Sequence, residues 1–372
     1  MSPQSHDAAA VQHDIMGYTA ACTGPAHAER VDSARWDSLL DGFDDVTSDQ
    51  SALYAAHRWG DEKVVCLVVR DANGEILGGA TCLRFSLPLL GGLVYAKFGP
   101  VWRRRGEPAI IERYTAIVSA IRDYAAELGL ALTLVTRPHP DFTPLEAEEL
   151  HRLGFTSGLD IVDDRYMVDC ALSSEDQMAS LAQTWRANLR KSDKAGVEIV
   201  DLDDTSYSEF EALYGRMMTR KQVTLYDPVE IVPKLRAHFS EEMRPQALLA
   251  RHNGEAVAGI VYAVFGDVAY YMYGASSEKA LPVRGGYALQ WAVLDRLRGR
   301  VRWYDLGGAP DGGLSLHQFK SGLVGKAGLR IGMPCEFNYA ATFRATCALF
   351  LIQTIRRIRL FVRNGFPNFR RA

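Results

Sequence analysis

The stretch that decides the fold is residues 64–85, "VVCLVVRDANGEILGGATCLRF", because a close copy, "QALLARHNGEAVAGIVYAVF", follows at residues 246–265. Each copy contains an apolar strand, a turn with Asn-Gly-Glu and a second strand with small residues. Asn73 and Asn253, each followed by glycine, can supply the positive φ angles that tight hairpins require. The two copies therefore predict two β-hairpins and indicate an internal duplication.

The segments after each hairpin also correspond, as a strand, a helix and a second strand. They are predicted at 93–101, 108–128 and 130–138 after the first copy, and at 268–276, 286–299 and 301–308 after the second. Apolar residues recur at three- and four-residue spacings in the helical segments. Mixed sheets with helices on both faces follow. The predicted class is α/β (α+β mixed sheets), and the element order is that of acetyltransferase-like (GNAT) domains.

The length of 372 residues fits two domains. We predict a disordered extension at 1–30, an N-terminal GNAT-like domain at 31–170, a C-terminal GNAT-like domain carrying the site at 171–340, and a basic amphipathic tail helix at 341–372. At the join, Ser173 or Ser174 is a suitable helix N-cap.

Composition excludes several classes of protein. The net charge of -3 argues against a molecule that binds nucleic acid over its whole surface. Six scattered cysteines without a CxxC pair argue against a disulfide framework or a metal site and favour a reducing cytoplasm. Residues 1–30 lack the pattern of a secretory signal, and no apolar run reaches the length of about 18 residues that a spanning helix needs.

A basic segment, "TWRANLRKSDKAGVEIV", occupies residues 184–200. It predicts a helix that ends at Gly196 and is followed by a strand. Trp185, Leu189 and Ser192 share one face of that helix, and the basic residues lie largely elsewhere. From the residues alone, a solvated helix flank explains this pattern.

Five stretches together resemble the FemABX family and the BioF2-like acetyltransferases, over about residues 61–338. They are "YAKFGPVW", "WRANLRKSDKAGVEI", "RMMTRKQV", "YYMYGAS" and "YDLGGA…LSLHQFKSGLVG". The resemblance implies two tandem GNAT-like domains. It also implies a peptidyltransferase that moves an amino acid from aminoacyl-tRNA onto an amine of a peptidoglycan precursor.

Two departures from these families bear on the donor. The chain has no sustained heptad run, so it lacks the coiled-coil arm of some Fem proteins. In "VRGGYA", Gly286 and Ala288 fit the GNAT phosphate loop, but Val283 stands where Arg or Gln belongs. Such a loop offers backbone N–H groups to phosphates, so coenzyme A remains an open alternative as donor.

The resemblance places the family's Phe-Lys pair at Phe319 and Lys320. Lys320, on a loop flanked by glycines, would stabilise the oxyanion of acyl transfer, and Phe319 would contact the ester end of the donor; the alternative is a surface lysine. Asp305, at a strand end before two glycines, would orient the amine, hold Lys320 or cap the next turn. His317 is either a base near Lys320 or a structural residue.

Arg220 matches an arginine that Fem relatives use on the nucleotide-muramyl precursor, and its planar fork suits a pyrophosphate. Arg216, one turn earlier, would share this role. Tyr271 and Tyr273 are predicted to face one side of a strand, where they line the acceptor groove or form an aromatic core. The remaining candidates for substrate binding are Trp185, Asn188, Arg190, Lys191, Gly286 and, in the first domain, Lys97.

The tail, residues 341–372, contains seven arginines and no acidic residue, interleaved with apolar residues. This pattern predicts a basic amphipathic helix. Three surfaces remain open for it: an anionic membrane, the protein's own second domain, or tRNA.

The leading hypothesis is a cytoplasmic Fem-like aminoacyl- or acyltransferase, or one peripheral on the inner membrane face. It would use aminoacyl-tRNA, without a further cofactor, and act on an amine-bearing envelope precursor. The alternatives are an N-acyltransferase that uses acyl-CoA or an acyl carrier in exopolysaccharide or small-molecule biosynthesis, and an inactive binding subunit at the membrane surface.

Overall fold

The computed structural model describes residues 25–161, 164–222, 229–309 and 313–364. The strands are β1 (His27–Val31), β2 (Val64–Arg70), β3 (Ile76–Leu87), β4 (Gly91–Lys97), β5 (Ala131–Val135), β6 (Thr156–Ser157), β7 (Asp164–Asp169), β8 (Glu198–Leu202), β9 (Gln246–His252), β10 (Glu255–Phe265), β11 (Val268–Ser276), β12 (Trp303–Asp305), β13 (Leu329–Gly332) and β14 (Phe337–Tyr339). The α-helices are α1 (Ser33–Asp37), α2 (Ala52–Trp59), α3 (Ile111–Glu127), α4 (Thr143–Arg152), α5 (Ser174–Ser180), α6 (Gln183–Lys194), α7 (Ser208–Lys221), α8 (Val232–His238), α9 (Ala280–Val283), α10 (Gly285–Leu297), α11 (Gly313–Val324) and α12 (Phe343–Asn364).

Two seven-stranded mixed sheets share one topology. The first runs β1-β2-β3-β4-β5-β14-β6, and the second runs β8-β9-β10-β11-β12-β7-β13. In the first sheet β4 pairs with β5 in parallel, and in the second β11 pairs with β12 in parallel. The predicted fold class, two tandem GNAT-like halves built from mixed sheets, is confirmed.

The two halves exchange one strand. β7 follows β6 along the chain, but it lies in the second sheet between β12 and β13. β14 follows β13, but it pairs with β5 and β6 in the first sheet. The predicted domain boundaries at 170/171 and 340 therefore do not coincide with the sheets. Local patterns indicate that a segment is a strand but do not indicate which distant strand it pairs with.

The predicted extension at 1–30 is wrong over its last residues. His27 to Val31 form β1, an edge strand that pairs antiparallel with β2, with Val31 opposite Cys66. Residues 1–24 lie outside the described part of the chain. Three of the five residues of β1, His27, Glu29 and Arg30, are polar or charged, which is usual for an edge strand. The segment therefore lacks the apolar pattern by which strands are predicted from sequence.

Both predicted hairpins are present, but their turns differ. Asn253 and Gly254 have φ values of 51° and 76°, which is the left-handed pair of a tight hairpin turn. In the first hairpin Gly74 has a positive φ of 86° and Asn73 does not. Asp71 Oδ1 instead accepts the N–H groups of Asn73 and Glu75, each at 2.9 Å, and closes a longer turn. The expectation of a left-handed Asn73 is therefore wrong.

One hydrophobic cluster joins the halves. Trp36 and Phe43 of the first half and Phe210, Phe239 and Phe265 of the second belong to it. Separate clusters cover the other face of each sheet, under α3 in the first half and under α6 and α10 in the second. Burial of a shared apolar cluster stabilises the contact between the sheets.

Two buried arginines reinforce this contact. Arg103 Nη1 lies 2.6 Å from Asp267 Oδ2, and Arg137 Nη2 lies 2.8 Å from Asp267 Oδ1. Arg137 Nε also donates to the hydroxyl of Tyr270 at 2.5 Å. Both arginines belong to the first half, whereas Asp267 and Tyr270 lie at the β10–β11 turn and in β11 of the second. The contact thereby aligns β11 against the first half.

The tail forms α12, which packs on the first sheet. Ala345 and Ala348 are buried, and Ala345 shares a small cluster with Leu93 and Ala131. Arg356 Nη2 lies 2.6 Å from the buried carboxylate of Glu336. The self-packing alternative therefore holds for one face of the helix, but on the first half rather than on the second. None of the helices within the described ranges is both long and apolar enough to cross a membrane.

Candidate functional site

A cleft of about 170 Å³ opens between the two halves. Its wall in the first half includes Asp49, Arg58 and Lys97, and its wall in the second half includes Arg165 and the middle of β11. Three of the predicted site residues line the cleft, Lys97 on the first wall and Tyr271 and Tyr273 on the second.

Lys320 is buried in the second half, close to the cleft. Its Nζ donates to the carbonyl oxygens of Leu306 at 2.7 Å and Gly308 at 2.5 Å. It also lies 6.0 Å from the ring centre of Tyr166 and 5.8 Å from that of Tyr271. Tyr271 is part of the cleft wall, so the ring of Tyr271 lies between the Lys320 ammonium and the cleft.

The element that carries Lys320 differs from the prediction. Lys320 lies in helix α11 rather than on a glycine-flanked loop. The glycine in the next turn serves packing, because a Cβ built on Gly322 would lie 3.0 Å from Trp185 Cδ1. Gly322 therefore lets α11 approach α6, and the helix holds the ammonium in one place.

Asp305 ends β12 and forms a buried ion pair with Arg165. Arg165 Nη2 lies 2.6 Å from Asp305 Oδ2, and Arg165 Nε lies 2.9 Å from the same oxygen. Asp305 Oδ1 also accepts the N–H of Gly307 at 2.8 Å, where φ is 72°. The turn-capping alternative for Asp305 is thus present, together with an ion pair that reaches the cleft wall.

The exchanged strand β7 supplies two site residues that the sequence analysis missed, Arg165 and Tyr166. The hydroxyl of Tyr166 lies 2.5 Å from His317 Nδ1, which links β7 to α11. Arg165 stands directly before the apolar run Tyr166–Val168. An arginine at the end of a buried strand is a usable signal, because proteins rarely bury a charge without a partner.

A β-bulge changes the prediction for the two tyrosines. Val261 pairs with Tyr273 and Tyr262 pairs with Tyr271, so Met272 has no partner on β10. The extra residue turns the chain, and Tyr271 and Tyr273 pack into different hydrophobic clusters, on opposite faces. The expectation that both rings face one side is wrong, although both residues line the cleft. Burial raises the pKa of Tyr271 to about 12.

The cleft wall of the first half is charged. Lys97 Nζ lies 3.1 Å from Asp49 Oδ1 and 4.6 Å from the ring centre of Phe98. Arg58 Nη1 donates to the hydroxyl of Tyr54 at 3.3 Å. With Arg165 on the opposite wall, the cleft has more cations than carboxylates in its lining. This balance favours a ligand that carries phosphate or carboxylate groups.

A second, more open pocket of about 430 Å³ lies at the N-terminus of α10. Arg220, Arg284 and Gly286 line it, and Arg220 Nη2 donates to the carbonyl of Ser276 at 2.8 Å. Backbone N–H groups at a helix N-terminus attract anions. Two predicted residues, Arg220 and Gly286, therefore meet in this pocket, while Arg216 is exposed on α7 one turn away.

Phe319 and Trp185 belong to the interior of the second half. The ring centre of Phe319 lies 6.1 Å from that of Trp185 and 4.9 Å from that of Tyr287. Trp185 is buried on the inner face of α6. Both rings thus hold α6, α10 and α11 together. Phe319 and Lys320 are adjacent on α11, so their side chains face different directions. Phe319 faces this aromatic group, whereas Lys320 faces the carbonyls of Leu306 and Gly308.

The remaining candidates lie on the outer side of α6. Asn188 is half-buried, and Arg190 and Lys191 are exposed. They are not part of either pocket wall described above. Arg190 and Lys191 form a basic patch on the surface of the second half, as a solvated helix flank would.

Residues 179–321 match the family model described as acetyltransferase (GNAT) domain. Among solved structures the chain is similar to "Crystal structure of FemX", with a TM-score of 0.69, 15% identity, and coverage of 88% of this chain and 100% of that one. It is also similar to the C-terminal domain (DUF2156) of a putative lysylphosphatidylglycerol synthetase from Agrobacterium fabrum. There the TM-score is 0.55, with 13% identity and coverage of 87% and 96%.

A third similar structure is that of L-PGS from Bacillus licheniformis, with a TM-score of 0.54, 12% identity, and coverage of 88% of this chain and 98% of that one. No curated protein matches the chain significantly. The match of residues 179–321 to the GNAT model supports the predicted acyltransferase, and the solved structures share the fold of the chain.

Proposed function

We propose that the protein forms an amide by transferring an aminoacyl group from aminoacyl-tRNA to an amine of a cell-envelope precursor of the peptidoglycan type. The observation that carries the proposal is the fixed ammonium of Lys320, which is held by the carbonyls of Leu306 and Gly308 beside the interdomain cleft. The resemblance to the Fem family supplies the substrate class.

The chemistry needs a stabilised oxyanion. The amine nitrogen bonds to the ester carbonyl carbon, and the carbonyl oxygen becomes negative. The carbonyl then re-forms as the ester C–O bond breaks, and a proton from the amine passes to the leaving ribose oxygen, which departs as a hydroxyl. A positive charge that is already in place lowers the energy of the intermediate without reorganisation. Lys320 meets this requirement, because two hydrogen bonds and two aromatic rings define its position.

The cleft walls suit an anionic acceptor. Lys97 and Arg58 lie on one wall and Arg165 on the other. Guanidinium groups bind phosphate and carboxylate oxygens through paired N–H donors. A nucleotide-linked muropeptide carries both kinds of group together with the attacking amine, so the cleft is the proposed acceptor site.

A second candidate reaction is acyl transfer from acyl-CoA. The pocket at the N-terminus of α10 combines Arg220, Arg284 and backbone N–H groups, and it lies within the residues that match the GNAT model. This pocket suits a diphosphate. An acyl-CoA donor placed there would deliver its acyl group along β11 toward the same lysine.

A donor assay separates the two reactions. The purified chain is incubated with a nucleotide-linked muropeptide and either labelled aminoacyl-tRNA or labelled acetyl-CoA. We expect label to pass from aminoacyl-tRNA to the muropeptide amine. Transfer from acetyl-CoA alone would favour the second reaction. If neither donor is consumed while the protein binds the muropeptide, the inactive binding subunit becomes the better description.

The acceptor site is tested by Lys97→Met in the same assay. We expect the acceptor KM to rise about tenfold, because a charge-assisted hydrogen bond is lost, while kcat changes little. Lys234→Met, an exposed lysine on α8, is the matched control. An unchanged KM for Lys97→Met would remove the cleft from acceptor binding.

A further inference from the structure

Helix α12 is apolar on two faces. One face packs on the first sheet through Ala345 and Ala348. On the other face, Phe343 is 85% exposed, Phe350 71% and Ile358 57%. These three lie on the same side, since seven or eight residues are about two helical turns. An apolar stripe on a helix is normally buried against another surface, so this outer apolar stripe is suited to a second surface.

A second apolar element lies beside the start of this helix. The turn between β3 and β4 has the sequence Pro88-Leu89-Leu90, and Leu89 is 92% exposed with φ at 67°. A left-handed leucine is uncommon and is disfavoured sterically. A Cβ built on Gly91 would lie 3.8 Å from Arg344 Nε, which places the turn next to the first turn of α12.

Exposed arginines flank this apolar surface. Arg344, Arg357 and Arg359 are exposed on α12. The helix contains no acidic residue. Arg84, near the end of β3 that leads into the turn, is also exposed.

We propose that the outer face of α12 and the β3–β4 turn dock together on an anionic lipid surface. Apolar side chains enter the boundary between headgroups and acyl chains, and arginines contact the lipid phosphates, as in other interfacial amphipathic helices. This inference does not depend on the proposed transfer reaction.

Two other occupants fit less well. In a symmetric dimer through this face, the arginines of two copies would oppose each other, with no acidic residue on α12 to balance them. A tRNA would contact the arginines, but it would leave Phe350, Ile358 and Leu89 without apolar partners. A lipid surface satisfies both the charge and the apolar area.

The test is co-sedimentation of the full chain with vesicles of phosphatidylcholine alone and of phosphatidylcholine with 30% phosphatidylglycerol. We expect binding to the anionic vesicles, little binding to the neutral ones, and loss of binding as NaCl rises. Equal binding to both compositions would contradict the charge argument. Absence of binding to either would overturn the proposal.

Variants locate the surface. Phe350→Gln/Ile358→Gln is expected to lower the vesicle partition coefficient at least about tenfold, because two apolar side chains no longer enter the interface. Leu281→Gln/Leu314→Gln, exposed leucines on α9 and α11 of the second half, is the matched control and should bind like the wild type. If both double variants have the same vesicle partition coefficient, the lipid-binding surface lies elsewhere.

The charge variant is Arg357→Ser/Arg359→Ser, with Lys234→Ser/Arg300→Ser as its control. We expect an approximately tenfold to thirtyfold loss of binding at low salt for the first and little for the second. Thermal unfolding checks that each variant is folded. As a second readout, Phe350→Trp should show fluorescence quenched by brominated lipid. A dimer in solution that Phe350→Gln dissociates, or tRNA binding that the arginine variant removes while vesicle binding persists, would overturn the proposal.

Discussion

The two sheets have the same strand order, yet the ends of their parallel strand pairs serve different purposes. The last paired residue of β5 is the buried Val135, whereas that of β12 is Asp305. Beyond β5, Arg137 turns to the other half and binds Asp267. Beyond β12, backbone carbonyls hold Lys320. The two halves therefore share one scaffold but differ at this position. The first half uses it for contact with the other half, and the second half uses it for the candidate catalytic lysine.

The next helix sharpens this contrast. α4 follows β5 and buries Glu146, whose carboxylate accepts the indole N–H of Trp102 at 2.8 Å. α11 follows β12 and buries Lys320. Corresponding helices therefore bury an acid in the first half and a base in the second. Burial raises the pKa of Glu146 to about 8.

The largest expected effect is on the second copy. Lys320→Met should lower kcat for transfer by about 10²–10³-fold, because the developing oxyanion loses its fixed charge. Glu146→Gln, the change at the corresponding helix of the first half, should leave kcat within about threefold of wild type. Single-turnover kinetics with saturating acceptor measure both. An equal loss of kcat in the two variants would contradict the proposed difference between the halves.

The next effect is on the attachment between the sheets. Arg137→Met removes a buried ion pair and the hydrogen bond to Tyr270, and we expect the free energy of unfolding to fall by about 3 kcal/mol. Lys279→Met breaks the exposed pair with Glu255 and should cost less than about 1 kcal/mol. Urea unfolding compares them. If both variants lose the same free energy of unfolding, the contacts of Arg137 with Asp267 and Tyr270 do not hold the halves together.

A pH effect follows from Glu146. Its pKa is higher in the folded chain than in the unfolded one, so its contribution to stability is complete below about pH 4.5 and is lost as pH rises through about 8. Glu146→Gln removes this loss. The variant should gain on the order of 3 kcal/mol over wild type between pH 5 and pH 8.

Urea midpoints across that pH range measure the gain. Asp45, whose pKa burial raises to about 6, keeps part of the pH dependence in both proteins. Parallel stability curves for the variant and the wild type would show that Glu146 remains ionised in the folded chain.

The smallest effect compares the duplicated hairpins. Asn253→Ala should cost about 1 kcal/mol, because alanine tolerates the left-handed conformation less well than asparagine does. Asn73→Ala, at a position without positive φ, should change stability by less than about 0.5 kcal/mol. Thermal unfolding of the two single variants measures both changes in stability. An equal loss of stability would mean that the positive φ of Asn253 has no effect on the cost of the substitution.

The sequence was sufficient for features that depend on neighbouring residues. β11 has the predicted limits, Val268–Ser276, and Ser173 caps α5 by accepting the N–H of Asp176. The strand end at Asp305 also follows from the apolar run and the glycines after it. These features are encoded within a few residues, which is the range that patterns report.

Features that depend on distant contacts were not predictable in this way. The partner of Asp305 is Arg165, 140 positions earlier in the chain. The bulge at Met272 arises from the pairing of β10 with β11, and simple alternation cannot show it. The glycine-rich surroundings of Lys320 suggested a loop, whereas Gly322 is a contact point between helices.

The strand exchange has a consequence for synthesis on the ribosome. In the first sheet β6 pairs with β14, which lies between β5 and β6, and β14 consists of Phe337–Tyr339. During synthesis the sheet of the first half keeps a gap until residues 337–339 have been made, which is after the strands β8 to β13 of the second half. The first half is therefore completed only after most of the second half has been translated, and a chain that stops before residue 337 leaves that gap open.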